Sequence, residues 1–61
     1  MKINVDLIYE IEEGTKSKRV SVDVRDHLKG PKLFDAIDKA VNNDFKEDTQ
    51  WTRWNLIDIE D

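Results

Sequence analysis

The chain of 61 residues has no cysteine, one histidine, one proline and two glycines. Without a thiol it can build neither a disulfide framework nor a thiolate metal site, and a lone His27 cannot make a His-rich one. Two isolated glycines, Gly14 and Gly30, do not make a Walker loop or a dinucleotide fingerprint, and no nucleophile elbow or EF-hand loop is present. Long apolar runs are also missing. No stretch approaches the roughly 20 apolar residues that span a bilayer. The opening residues, Met1-Lys2-Ile3-Asn4-Val5-Asp6, alternate and do not form a signal-peptide core. The sequence therefore predicts a cytoplasmic, non-enzymatic chain with no catalytic residues, no cofactor, no metal and no membrane partner.

Positive charge is short as well. Fourteen acids against ten bases give a net charge of -4 and a pI near 4.8. Direct nucleic-acid binding needs concentrated Lys and Arg to displace phosphate counterions, so none is expected. The basic residues cluster once, in Lys16-Ser17-Lys18-Arg19, just after Glu12 and Glu13. That run reads as a solvated hairpin tip.

What is present is periodicity. Ile3, Val5, Leu7, Tyr9 and Ile11 alternate with polar neighbours, broken only by Ile8 on the polar side, which predicts a strand over about 2–11. Val20, Val22 and Val24 alternate in the same way and predict a second strand over about 18–25. The turn cluster Glu12-Glu13-Gly14-Thr15-Lys16-Ser17 joins them as a loop of about six residues, with Gly14 free to take a positive φ. Asp26 is placed to cap a short turn, Leu28 to tuck under a helix, and Pro31 to open that helix at its first position. Leu33, Phe34, Ile37, Ala40, Val41 and Phe45 then follow a helical stripe over about 31–44. Phe34, Ile37 and Val41 are expected to pack on Val5, Leu7, Val20 and Val22. A last strand over about 51–59 closes the chain.

The order β-β-α-β in so short a chain predicts one domain over 1–61, a small α+β fold. A right-handed crossover brings the third strand back parallel to the second and beside the first. The expected sheet is three-stranded and antiparallel in the order 3-1-2, with the helix on one face.

The last strand carries the functional question. Under plain alternation Trp54 and Leu56 point one way, and Trp51, Ile57 and Ile59 the other. One helix covers one sheet face, so some of this surface is left for a second protomer or another protein, unless a bulge near Asn55 turns more of it inward. Trp and Arg are favoured interface anchors, so Trp51, Arg53 and Trp54, with Ile8 and Ile57, form the expected partner-binding set. One tryptophan is expected in the core and the other in the interface. Two alternatives are both in the core, or a base-stacking platform that the net charge disfavours.

A second candidate is acidic. Asp35, Asp38, Asp44, Glu47 and Asp48 lie on the helix and the loop after it. Helix positions i and i+4 sit about 6 Å apart, near the roughly 7 Å phosphate repeat of one DNA strand. Such a row could act as a DNA mimic against a basic protein, although Lys32, Lys39 and Lys46 dilute it. In size, acidity and lack of cysteine the chain resembles small inhibitors of host proteins from phages and mobile elements. That resemblance implies a protein target. The expected function is a protein-interaction module, an inhibitor or modulator and a homodimer. The alternatives are the DNA mimic, a structural or assembly subunit, and, further off, a nucleic-acid binder.

Overall fold

The computed structural model describes residues 1–45 and 51–60. Four elements follow in chain order: β1 (Lys2–Ile11), β2 (Gly14–Asp23), α1 (Pro31–Asp44) and β3 (Trp51–Glu60). They form a small α+β domain whose three-stranded antiparallel sheet runs β2-β1-β3. This is the 3-1-2 order expected from the connectivity. No helix among the described residues is long and apolar enough to cross a membrane.

The alternation of β1 sets the layers. Ile3, Val5 and Leu7 are fully buried on the helix side, while Lys2, Asn4 and Asp6 turn to the other. The pairs Ile3–Val22 and Val5–Val20 extend the apolar face onto β2. Leu33, Ile37 and Val41 recur every fourth residue, so they share one face of α1 and close over that surface. Pro31 occupies the first turn, where its missing N–H costs nothing. The Gly30 carbonyl accepts from Leu33 N–H at 3.0 Å and Phe34 N–H at 3.2 Å. Leu28 and Val24 pack half-buried at the edge of this core.

Four details differ from expectation. The hairpin turn is Glu12-Glu13 alone, and β2 begins at Gly14. Thr15, Lys16 and Ser17 are polar but pair with Glu10, Tyr9 and Ile8, so ladder hydrogen bonds outweigh loop-like composition. Both glutamates keep negative φ, and the positive φ that this tight reversal requires falls on Gly14, at 133°. As a result Lys16-Ser17-Lys18-Arg19 lies along the β2 edge and not at a tip. Second, β2 ends at Asp23, before residue 25, although Val24 N–H still reaches the Met1 carbonyl at 3.0 Å.

Third, the described hydrogen bond of the Asp26 side chain goes to the start of β1 and not to the turn it was expected to cap. Asp26 Oδ1 accepts from the Met1 ammonium at 2.6 Å, and the same ammonium donates to the Val24 carbonyl at 2.6 Å. That hydrogen bond, and then the ammonium's charge, holds the Asp26 carboxyl below the usual carboxylate range. Fourth, Phe34 is 50% exposed, and Leu33 takes its place in the core. Residues turn about 100° each around a helix, so the full stripe from Leu33 to Phe45 is wider than the inward face. Leu33, Ile37 and Val41 win that face and Phe34 is left at its flank.

Candidate functional site

β3 does not alternate simply. Its pairing with β1 shifts register twice, between Asn4 and Val5 and between Ile8 and Tyr9. At the first shift Asn4 meets Asp58 and Val5 meets Leu56, which leaves Ile57 as an extra residue. At the second, Ile8 meets Arg53 and Tyr9 meets Trp51, leaving Thr52 extra. The Thr52 hydroxyl donates to the Ile8 carbonyl at 3.2 Å, across this second irregularity. The expected bulge near Asn55 is thus two irregularities, one on each side of it.

Their consequence is a sorting of side chains. Residues directly opposite in a ladder share a face, so Trp51, Trp54, Leu56 and Ile59 lie on the helix side with Tyr9, Leu7, Val5 and Ile3. Plain alternation would have divided these four between the two faces. The opposite face becomes polar. Asn4 donates through Nδ2 to Asp58 Oδ1, the Ser21 hydroxyl donates to Asn4 Oδ1, and Arg19 Nε donates to Asp6 Oδ1 at 3.2 Å. Ile8 is the apolar exception on β1 there; it is buried, opposite Ser17 and Arg53.

The helix does not cover all four β3 residues. Its buried row lies over β1 and β2, and toward β3 it offers Phe34, whose ring stacks on Trp54 at 6.0 Å and 26°. Trp54 Nε1 donates to Asp38 Oδ1 at 3.2 Å, which fixes the indole against the helix. Both tryptophans are half-buried and both touch the core, so they do not divide into one core residue and one interface residue. Leu56 and Ile59 are 36% and 42% exposed. Phe34, Trp54, Leu56 and Ile59, with Trp51 at the far end, form an apolar ledge along the outer strand.

The expected partner set is therefore divided. Trp51 and Trp54 belong to the ledge, while Arg53 and Ile8 face each other on the polar side. Ile57 sits at the first bulge, 39% exposed. Phe34, Leu56 and Ile59 are the ledge residues the sequence reading left out of that set. For Leu56 and Ile59 the signal was the spacing 51, 54, 56, 59, whose steps of three, two and three are those of a strand interrupted twice.

The acidic row is partly occupied. Asp35 pairs with Lys39 at 3.0 Å, and Asp38 accepts from Trp54 and from Asn42 Nδ2 at 3.4 Å. Asp44 is exposed at the helix end, and Glu47 and Asp48 lie outside the described residues. On the other flank a groove of about 400 Å³ runs between β2 and the helix. Val24, Leu28 and Ala36 line it, and Arg25, Lys32 and Asp35 stand at its rim. His27 lies exposed in the preceding turn at φ 67°, a left-handed conformation.

Comparison of the chain with protein-family models, with curated proteins and with solved structures found no match.

Proposed function

We propose that this chain is a non-enzymatic protein-interaction module of the cytoplasm, an inhibitor or modulator that acts by covering a surface of another protein. The observation that carries the reading is the ledge. Leu56 and Ile59 of β3 and Phe34 of the helix stay exposed beside the half-buried Trp51 and Trp54, on a chain in which 39% of residues are charged. Small soluble chains seldom leave such a patch without a use, and tryptophan beside aliphatic residues is the composition of a binding hot spot. The charged residues around it supply the polar rim of such an interface.

The acidic mimic is the rival reading, and the pairing of Asp35 and Asp38 weighs against it. The test is capture from the source cell's lysate by tagged protein, with two variants beside the wild type. Leu56→Lys places a charge on the ledge. The combined Asp35→Asn, Asp38→Asn and Asp44→Asn variant neutralises the helix. The ledge reading expects Leu56→Lys to lose the captured protein, the neutralised variant to keep it, and moderate salt to have little effect. Loss of capture only in the neutralised variant, with steep salt sensitivity, would transfer the function to the acidic face.

A further inference from the structure

We infer that the first occupant of the ledge is a second copy of the chain, joined by antiparallel pairing of two β3 strands about a two-fold axis at Asn55. The inference rests on the ledge as the binding surface and names what covers it. In the order β2-β1-β3, β3 has β1 on one side and, among the described residues, no strand on the other. Protein edges of this kind are usually guarded by charge. β2 follows that rule, with Lys16 and Lys18 opposite Tyr9 and Leu7 on the helix face. β3 presents no charge on that face, only Trp51, Trp54, Leu56 and Ile59.

The spacing of these four residues is its own mirror image. Reversed about Asn55, position 54 falls on 56 and position 51 on 59. Two copies of β3 in that register set Trp54 against Leu56 and Trp51 against Ile59, twice each by symmetry. It is the one antiparallel register that matches all four ledge residues to one another. A two-fold interface requires such self-complementarity, and a patch shaped for an unrelated protein does not. Bulges normally discourage edge pairing by twisting a strand away. Here they create the symmetric pattern, and in the paired strands Thr52 falls opposite Asp58 and Ile57 opposite Arg53.

Charge on the other face agrees. Arg53 and Asp58 both lie on the polar side of β3. In this register each Arg53 stands one position from the second copy's Asp58, so two opposite-charge pairs flank the axis. Area limits the strength. A standard interface takes about 800 Å² per partner, about a sixth of this chain's 4591 Å² of surface. A strand edge alone does not reach that figure, so the ledge must contribute and the dimer should be of micromolar strength. Two chains of net charge -4 also repel, so added salt should tighten the pair.

The absence of cysteine makes the register directly testable. A residue on the axis meets its own copy at roughly 5 Å between Cα atoms, within disulfide range. Asn55→Cys should therefore cross-link to a covalent dimer on mild oxidation. Asp58→Cys places its two sulfurs about 20 Å apart along the strands and should stay monomeric. Sedimentation equilibrium of the wild type should show a dimer at micromolar concentration, and Leu56→Lys, with an unchanged circular dichroism spectrum, should sediment as a monomer. A wild type that stays at 7.2 kDa through that range overturns the dimer. So does cross-linking of Asp58→Cys without Asn55→Cys, which would mean another register. In either case the ledge reading survives if Leu56→Lys still loses the captured protein, and it fails separately if capture is unchanged.

Discussion

The two flanks of this sheet are built from similar material and end differently. On β2, Val20 and Val22 are buried under Leu33, Ile37 and Val41 of the same chain. On β3, the residues at the same levels of the sheet are Leu56 and Ile59, and more than a third of each remains exposed. Both strands pair with β1, so hydrogen bonding does not explain the contrast. Helix position does. A single helix about 10 Å wide cannot cover three strands spaced about 4.8 Å apart together with their side chains. Here it sits toward β2. The fully buried apolar side chains of the chain thus lie in the β1-β2-helix half, while the β3 half keeps apolar surface exposed.

The largest break of that contrast is expected at Ile37. It is fully buried in the middle of the helix row. Ile37→Ala should cost about 2–4 kcal/mol, through lost burial and the cavity left behind. Phe34→Ala, on the exposed ledge, should cost much less. Urea or thermal unfolding of the two variants checks this. Equal losses would place the stabilising core across both flanks and remove the distinction.

A loss of about 1–3 kcal/mol is expected at the turn that holds β2 to β1. Gly14 adopts φ 133° with nothing within 4 Å of where a Cβ would stand. Gly14→Ala therefore meets no neighbour, and its cost is conformational. A melting midpoint unchanged from wild type would show that the hairpin can relax to another turn.

Most of the fold was legible in the sequence because alternation in β1 and four-residue spacing in α1 are local patterns tied to burial. The strand order followed from connectivity alone. The loop length did not, because Thr15-Lys16-Ser17 gains its strand identity from pairing with Ile8–Glu10 and not from composition. The site was half legible. Trp51 and Trp54 were singled out by residue type, but their common face depends on two register shifts. The spacing 51, 54, 56, 59 is compatible with those shifts, but the pairing with β1 is what places them. The choice of Leu33 over Phe34 is a matter of about 100° of helix rotation, which the broad apolar stripe left open.

A smaller effect should follow at the seam between the flanks. Trp54→Phe keeps an aromatic ring against Phe34 and deletes the Nε1 donor to Asp38. A partly exposed hydrogen bond of this kind contributes about 1 kcal/mol. Asp38→Asn retains an acceptor and should fall between Trp54→Phe and wild type. A double variant whose loss equals the sum of the singles would show that the two residues do not interact.

The smallest effect belongs to the contact between the Met1 ammonium and Asp26, which ties the start of β1 to the chain just beyond β2. The ammonium lowers the Asp26 carboxyl pKa in the folded chain relative to its ordinary 3.8. A depressed acid stabilises the fold above its unfolded-state pKa and loses that contribution as the pH falls through its folded value. Stability from this pair is therefore present at neutral pH and withdrawn below about pH 4. Since Asp26 is exposed, solvent screens the pair and the difference should be slight. Asp26→Asn should melt a little below wild type at pH 7, and the two curves should converge in acid. Raising the salt concentration at pH 7 should narrow the gap as well. Two curves that stay parallel from pH 7 to pH 3 would show that the carboxylate's charge adds nothing and that the other contacts of Met1 with Val24 hold this end of the sheet without it.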